Sequence, residues 1–151
     1  IEIKFTNNTS IKMKIPENKT VQELFEWRFE KTPKSIAHKF LDRETTYEEL
    51  DIYSNQIANG LVKLGCKPDS RIAYYGKNSD YFFEFLIGTL KSNTVAVGVN
   101  WRLAPPEVSY VLNDSKSEVL FVGKEFYPII DEILKEKNRL SFSDLKRKYK
   151  L

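Results

Sequence analysis

Cysteine and histidine are almost absent from this sequence. Cys66 and His38 are its only residues of these two types. A single cysteine excludes a disulfide framework within the chain and a CxxC metal site, and a single histidine excludes a histidine metal cluster. Cys66 follows a predicted helix end, so we expect it to be inert. His38 shares a predicted strand face with Ile36 and Phe40, which favours partial burial over catalysis.

Glycine is also sparse. The six glycines lie at positions 60, 65, 76, 88, 98 and 123, at least five residues apart. A phosphate-binding loop needs clustered glycines, because successive backbone N–H groups must approach the anion. Gly60–Lys67 has two glycines at the spacing of such a loop, but its lysine is one place late and Pro68 replaces the required Ser or Thr. We therefore predict no catalytic, cofactor-binding or metal-binding residue in this chain.

Long hydrophobic runs are missing as well. The most apolar stretch, Tyr81–Leu90, is interrupted by Glu84 and is far too short to span a bilayer. Residues 1–15 alternate apolar and polar side chains instead of forming the apolar block of a signal peptide. We therefore expect no integral membrane segment and a cytoplasmic location.

Charge is distributed unevenly along the 151 residues. The formal net charge is +3, but residues 134–151 contain seven basic and two acidic residues, so the rest of the chain is net negative. A nucleic-acid-binding domain would carry a basic face on its body, and we expect no nucleic-acid partner. We divide the chain into a domain at residues 1–137 and a basic tail at residues 138–151.

The first half of the chain carries a hairpin pattern and two helix-start signals. Alternation in residues 1–15 predicts a β-hairpin. Capping boxes, in which a threonine and a following glutamate exchange hydrogen bonds, predict helix starts at Thr20–Glu23 and Thr46–Glu49. We place four residues of the first helix on one apolar side: Val21, Leu24, Phe25 and Phe29. Between the helices we predict a strand at Ser35–Asp42, a tight turn around Arg43–Glu44, and an end of the second helix at Gly65.

The second half alternates strands and helices three times. We predict strands at Arg71–Gly76, Thr94–Asn100 and Val119–Val122, and helices at residues 80–92, after Pro105 and at residues 126–137. This order predicts right-handed crossovers and a parallel sheet between helices. The valine-rich Thr94–Asn100 is typical of a central strand that is covered on both faces. The expected fold class is α/β: an incomplete three-layer domain with a partly parallel, flavodoxin-like sheet covered by helices, preceded by a β-hairpin and helix.

Two loops follow strands of this sheet, where ligands commonly bind. Gly76–Ser79 joins a strand to a helix N-terminus, a location that favours anions, but we interpret it as a helix cap with one exposed lysine. The segment Asn100–Leu103 leaves two alternatives open. Trp101 and Arg102 line a pocket, or Arg102 only ties the loop to a neighbouring helix end.

An ordered series of short motifs runs from Thr46 to Val122. It begins with Thr46–Leu50, Ser54–Leu61 and Leu64–Ala73, and in this order the motifs resemble the opening of the AMP-binding, adenylate-forming superfamily. The resemblance continues through Asn78–Ser79, Phe83–Glu84, Gly88, Leu90–Lys91, Val95–Leu103, Pro106–Glu107, Tyr110–Ser115 and Val119–Val122. The Asn-Trp-Arg-Leu form before a Pro-Glu helix start is most similar to fatty-acyl-CoA synthetases.

The resemblance implies part of a two-step ligase. In such enzymes a fatty carboxylate attacks the α-phosphate of ATP, and the thiol of CoA then displaces AMP from the acyl-AMP. ATP, Mg²⁺, CoA and a fatty acid substrate are expected for a full-length member only. The sequence lacks the family's Ser/Thr/Gly-rich phosphate loop, its adenine-site motif and its C-terminal domain. We therefore expect an N-terminal fragment that is inactive alone.

Two other functions remain open from the sequence. The chain could be a non-catalytic interaction module that self-associates through an unpaired sheet edge, because such an edge is a template for pairing. It could also be a flavodoxin-like nucleotide-binding domain that uses Gly76–Ser79.

Overall fold

The computed structural model describes residues 2–4, 10–12 and 20–136, so the predicted basic tail lies outside the described residues. The strands are β1 (Glu2–Lys4), β2 (Ser10–Lys12), β3 (Ile36–Phe40), β4 (Arg43–Thr46), β5 (Arg71–Tyr75), β6 (Val95–Val99) and β7 (Val119–Val122). The helices are α1 (Val21–Lys31), α2 (Tyr47–Lys63), α3 (Asp80–Lys91), α4 (Pro105–Asp114) and α5 (Tyr127–Glu136), and a 3₁₀ turn at Lys124–Phe126 precedes α5.

The main sheet is parallel and has the order β6-β5-β7. Ile72 of β5 is aligned with Ala96 of β6 and with Val119 of β7. The first strand of the three therefore lies between the second and the third, as in flavodoxin-like sheets. β1 and β2 pair antiparallel, as do β3 and β4. The predicted α/β class, the parallel sheet and the N-terminal hairpin are confirmed.

Helices cover both faces of this sheet. Ile72 and Tyr74 of β5 face the core formed with α2 and α3, which includes Leu61 and Phe85. The intervening Ala73 and Tyr75 face the opposite core, formed with α4 and α5 by Val108, Leu112, Phe126 and Ile133. Successive residues of a strand point to opposite faces, so β5 contributes to both cores.

Local hydrogen bonds define the helix ends. The side-chain oxygen of Thr46 accepts from the Glu49 N–H at 3.2 Å, and Glu49 Oε2 accepts from the Thr46 N–H at 2.8 Å. The same exchange occurs at Thr20 and Glu23, so both predicted capping boxes are confirmed. Gly65 follows α2 with a φ of +87°, which is the left-handed conformation predicted for it.

The apolar side of α1 is narrower than the sequence predicted. Phe29 is buried, but Val21 is 58% exposed. Val21 is the first residue of α1. In the first turn of a helix a side chain has no preceding helical turn beside it, and here it points to solvent.

The turn predicted at Arg43–Glu44 is wrong. Both residues belong to β4, and the turn lies at Leu41 and Asp42. Leu41 adopts a φ of +55°, a conformation that leucine rarely takes. Neither glycine nor asparagine occupies position 41, so the sequence does not mark a residue with a left-handed conformation there.

The central position predicted for Thr94–Asn100 is also wrong among the described residues. β6 lies at one edge of the three strands, and β5 is central. Val95 is 42% exposed. Valine favours strands through its branched side chain whether or not both faces are covered, so composition alone could not distinguish edge from centre.

The helices α2 and α3 pack closely where α3 contains Gly88. A Cβ atom on Gly88 would lie 2.6 Å from Ile57 Cγ2 and 3.1 Å from the Ser54 carbonyl oxygen. Lys91 of α3 donates to Asn55 Oδ1 at 2.9 Å and forms an ion pair with Asp51 of α2.

Within the described residues, none of the helices combines the length and apolar character needed to cross a membrane.

Candidate functional site

The carboxyl ends of the parallel strands bring three loops to one edge of the sheet. Gly76–Ser79 follows β5, the loop at residues 100–104 follows β6, and Gly123 follows β7. Ligands of open α/β sheets bind at this edge. The sequence predicted that the first two loops would lie here, and the parallel alignment of β5 and β6 places both at this edge.

Trp101 contacts two cationic side chains at this edge. The Arg102 guanidinium carbon lies 4.3 Å from the centre of the indole ring, and Lys77 Nζ lies 5.4 Å from it. Attraction between a cation and an aromatic face can hold such side chains in place. Trp101 itself packs at 6.4 Å from the ring of Phe126. The edge therefore presents two exposed positive charges beside an aromatic ring.

Arg102 does not act as a tie to a helix end in the described part of the chain. No carboxylate among residues 20–136 forms an ion pair with its guanidinium. The loop is held instead by Asn100, whose Oδ1 accepts from the Arg102 backbone N–H at 3.0 Å. The other alternative left open by the sequence, that Trp101 and Arg102 line a pocket, stays a prediction.

The Gly76–Ser79 loop is filled by the side chain of Tyr74. The Tyr74 hydroxyl donates to the Lys77 carbonyl at 3.3 Å and lies 3.2 Å from Ser79 Oγ. Burial raises the pKa of Tyr74. A Cβ on Gly76 would lie 3.1 Å from the tyrosine ring, so this ring packs directly against the glycine. Ser79 occupies the predicted N-cap position, but its side chain makes no capping hydrogen bond.

A groove of about 540 Å³ lies between β4, α2 and the first turns of α3. Its walls combine apolar side chains with carboxylates: Arg43, Glu44, Thr45, Glu49, Tyr53, Gln56, Ile57, Gly60, Leu61, Leu64, Asp80, Tyr81, Glu84 and Phe121. We call it the α2–α3 groove. Sequence analysis missed it because its lining residues come from four separate elements.

An ion pair closes one end of the α2–α3 groove. Arg43 Nε lies 2.7 Å from Asp80 Oδ2, and Arg43 Nη2 lies 2.8 Å from Asp80 Oδ1. The side chain of Asp80 is 5% exposed, whereas that of Arg43 is 47% exposed. Hydrogen bonds from Arg43 hold the pKa of Asp80 below its ordinary value. Arg43 is positioned by β4, a strand that begins where the sequence analysis predicted a turn.

Glu84 lies in the same groove without such a partner. It is 8% exposed, and no hydrogen bond to it occurs within the described part of the chain. Burial, together with the nearby charge of Asp80, raises the pKa of Glu84 to about 7 against the opposing effect of Arg43. Ionisation of a carboxyl group in a buried residue is costly unless the group is paired.

His38 and Cys66 have the surroundings that the sequence predicted. The imidazole of His38 stacks on Phe83 at 5.4 Å, and burial lowers its pKa. His38 Nε2 is buried and has no hydrogen-bond partner among the described residues. Burial raises the pKa of the Cys66 thiol, so little of it is thiolate at neutral pH. No group of three or more possible metal ligands occurs in the described ranges.

Comparison with known proteins assigns the family. Residues 25–149 match the sequence profile of a family described as AMP-binding enzyme. The chain belongs to the AMP-binding enzyme family. The match extends to residue 149, so it includes most of the segment that the sequence analysis set apart as a basic tail. The division at residue 137 stays a prediction.

Two relatives in the family act on fatty acids according to their names. A fatty acid–[acyl-carrier-protein] ligase of Streptomyces coeruleorubidus is 40% identical over 118 residues, which are 78% of this chain and 23% of the relative. A long-chain-fatty-acid–CoA ligase of Mycobacterium tuberculosis is 39% identical over 92 residues, which are 61% of this chain and 18% of the relative. The chain thus spans less than a quarter of the length of either relative.

Solved structures of AMP-binding enzymes share the fold. An anthranilate CoA ligase in complex with anthranoyl-AMP superimposes with a TM-score of 0.74 at 29% identity, over 82% of this chain and 24% of that one. A Mycobacterium tuberculosis fatty acyl CoA synthetase gives a TM-score of 0.70 at 33% identity, over 75% of this chain and 23% of that one. The helix-covered parallel sheet is therefore the N-terminal part of a known fold.

Proposed function

We propose that this chain is the N-terminal part of an AMP-forming ligase that activates a fatty acid and transfers the acyl group to a thiol acceptor. The observation that carries the proposal is the 40% identity to a fatty acid–[acyl-carrier-protein] ligase over 78% of the chain. The matched fatty-acid–CoA ligase supports the same acyl donor with a different acceptor. The acceptor is accordingly CoA or an acyl carrier protein.

We infer that the residues described here do not hold the phosphates of ATP. The Gly76–Ser79 loop is filled by Tyr74, and the six glycines of the chain are scattered. We therefore assign the phosphate contacts of ATP, and the Mg²⁺ that accompanies it, to sequence outside the described residues. The contribution of this chain to adenylation is structural: it builds one end of the sheet against which the catalytic part packs.

Lys77 and Arg102 are the side chains that we assign to substrate contact. They lie at the carboxyl edge of the sheet, and both cations lie near the ring of Trp101. A guanidinium and an ammonium group suit a phosphate, which accepts charge-assisted hydrogen bonds. CoA and the phosphopantetheine arm of a carrier protein both carry phosphate groups. We therefore infer that this pair contacts the acyl acceptor.

A chimera tests the proposed function. Residues 20–136 of this chain replace the matching segment of the Streptomyces coeruleorubidus ligase, and ATP–pyrophosphate exchange with a fatty acid is measured. We expect fatty-acid-dependent exchange, because the transplanted sheet and helices should support the catalytic part. A chimera that is monodisperse and unfolds cooperatively but shows no exchange would contradict the proposal.

Variants of the chimera test the substrate contact separately. Loss of a charge-assisted hydrogen bond costs about 1.5–3 kcal/mol, so Arg102→Ala should raise the KM for the acyl acceptor about tenfold or more. The KM for the fatty acid should change much less. Lys63→Ala, at the far end of α2, is the matched control. Equal changes in both KM values for Arg102→Ala would show that the residue supports the fold instead.

A further inference from the structure

Tyr74 has a fixed position beside the loop that carries Lys77. It lies on β5 and is buried, and its ring packs against those of Phe82 and Phe85, whose centres are each 5.3 Å from its own. A side chain that is packed among neighbours in a core keeps one rotamer. The hydroxyl at the end of this ring is therefore a fixed point, and it reaches into the loop at Gly76–Ser79.

Three residues of this loop are adapted to Tyr74. Gly76 gives the ring room, because a Cβ there would lie 3.1 Å from a ring carbon of Tyr74. The backbone carbonyl of Lys77 accepts from the hydroxyl at 3.3 Å. Ser79 Oγ lies 3.2 Å from the same hydroxyl. The loop is thus arranged around one buried tyrosine.

Ser79 indicates that this arrangement serves the loop and not the helix that follows. It occupies the N-cap position of α3, but its side chain makes no capping hydrogen bond. A serine at this position ordinarily stabilises the helix start by accepting from an early N–H. Here the serine hydroxyl lies beside Tyr74 instead. The exposed side chain that the loop presents to solvent next to this contact is Lys77.

The two cations at the carboxyl edge have matching sets of contacts. The Lys77 backbone is bound by Tyr74, and its ammonium nitrogen lies 5.4 Å from the centre of the Trp101 ring. The Arg102 backbone donates to Asn100 Oδ1 at 3.0 Å, and its guanidinium carbon lies 4.3 Å from the centre of the same ring. Each cation therefore has one polar side chain on its backbone and the shared indole beside its charge.

We propose that Tyr74 is a positioning residue for the acyl acceptor, because its hydroxyl fixes the backbone of Lys77 so that the ammonium group lies at the ring of Trp101 together with Arg102. The inference rests on the proposed function, in which these two cations contact a phosphate of the acceptor. Since Tyr74 is buried, it acts through Lys77 and not by its own contact with the acceptor. Burial raises the pKa of Tyr74, so its hydroxyl stays a donor at neutral pH.

NMR of the full 151-residue chain measures the position of Lys77 independently of any activity. Side-chain protons near an indole are shifted by its ring current, and a Trp101→Leu protein gives the unshifted values. We expect Tyr74→Phe to remove most of the ring-current shift of Lys77 and to leave that of Arg102 unchanged. Asn100→Ala is the matched variant and should do the reverse. Equal changes at both cations, or no change at Lys77, would overturn the proposal.

A double-mutant cycle in the ligase chimera measures whether Tyr74 acts through Lys77. Tyr74→Phe should raise the KM for the acyl acceptor about fivefold, as expected for one neutral hydrogen bond. It should not change the KM for the fatty acid or the rate of ATP–pyrophosphate exchange, which needs no acceptor. In a Lys77→Ala background the substitution should have no further effect, and in an Arg102→Ala background it should keep its full effect. The same full effect in both backgrounds would assign Tyr74 a structural role and refute the proposal.

The two experiments give different results if this inference fails and if the proposed function fails. A folded chimera without exchange contradicts the proposed function, and the NMR comparison then still decides whether Tyr74 positions Lys77. Exchange with an unchanged acceptor KM in Tyr74→Phe contradicts the inference alone. Gly76→Ala is a second variant, which keeps the hydroxyl but crowds the ring of Tyr74. It should also displace Lys77 from Trp101, and an undisturbed Lys77 in this variant would count against the proposal.

Discussion

Tyr75 is a residue whose polar atom is not satisfied by the packing around it. Its side chain is fully buried, and its ring lies 4.8 Å from that of Phe126. The hydroxyl has no hydrogen-bond partner among the described residues, and burial raises its pKa. A buried hydroxyl without a partner destabilises the folded state by about 1–3 kcal/mol.

Removal of this hydroxyl should stabilise the protein. Tyr75→Phe keeps the ring contacts and deletes only the unsatisfied group, so we expect the free energy of unfolding in urea to rise by about 1 kcal/mol. Tyr74→Phe is the matched control, because it removes bonds to Ser79 and Lys77 and should lower stability. A fall in stability for both variants would show that the Tyr75 hydroxyl has a partner.

The ion pair of Arg43 and Asp80 should contribute stability that depends on pH. The folded-state pKa of Asp80 is lower than its ordinary value of 3.8. The contribution is therefore present above that value and is lost as the pH falls through the folded-state pKa. Arg43→Ala should lower the urea midpoint at pH 7, and the difference from the wild type should shrink below pH 3.8. Arg43→Lys, which cannot form the two parallel bonds, should give an intermediate midpoint. A difference that is constant with pH would contradict this assignment.

At the scale of elements, the contact of α2 with α3 depends on the absence of a side chain. The space above Gly88 is occupied by Ile57 and by the Ser54 carbonyl. Gly88→Ala should destabilise the protein by about 1–3 kcal/mol through overpacking, although alanine favours helices. Gly98→Ala is the control, because a Cβ there meets nothing within 4 Å. Denaturant unfolding measures both. If Gly88→Ala left the free energy of unfolding unchanged, the two helices would move apart at little cost.

Elements whose boundaries depend on local chemistry could be predicted from the sequence. The helices that begin at Thr20 and Thr46 start where threonine and glutamate can exchange hydrogen bonds, and neither bond needs a distant residue. The same holds for Gly65 at the end of α2. The β3–β4 turn could not be predicted, because Leu41 adopts its left-handed conformation only within the hairpin.

The groove could not be predicted for a different reason. Arg43 and Asp80 are 37 residues apart in sequence and meet only after the hairpin packs beside α3. Glu84 looked like an interruption in an apolar stretch, and its raised pKa depends on its burial and on Asp80. By contrast, the loop with Trp101 and Arg102 was located correctly, because parallel strands end at one edge whatever their order.

At the scale of the whole molecule, the chain has six scattered glycines and no glycine-rich loop of the kind that binds the phosphates of ATP. We therefore expect the isolated 151-residue protein to show no ATP–pyrophosphate exchange with any fatty acid, because the sequence lacks the clustered glycines of a phosphate-binding loop. The active chimera described above is the positive control. Exchange by the isolated chain above the buffer rate would refute this prediction.

Because two cations lie beside Trp101, its fluorescence is a probe of this edge of the sheet. The chain has two tryptophans, and the other, Trp27, lies on α1. Indole emission responds to charges near the ring, so an anion that draws Lys77 or Arg102 away should change the fluorescence of Trp101. In a Trp27→Phe protein the whole tryptophan signal would come from that edge. The fluorescence of Trp101 can therefore report the binding of an anion to these two cations in solution without an added dye.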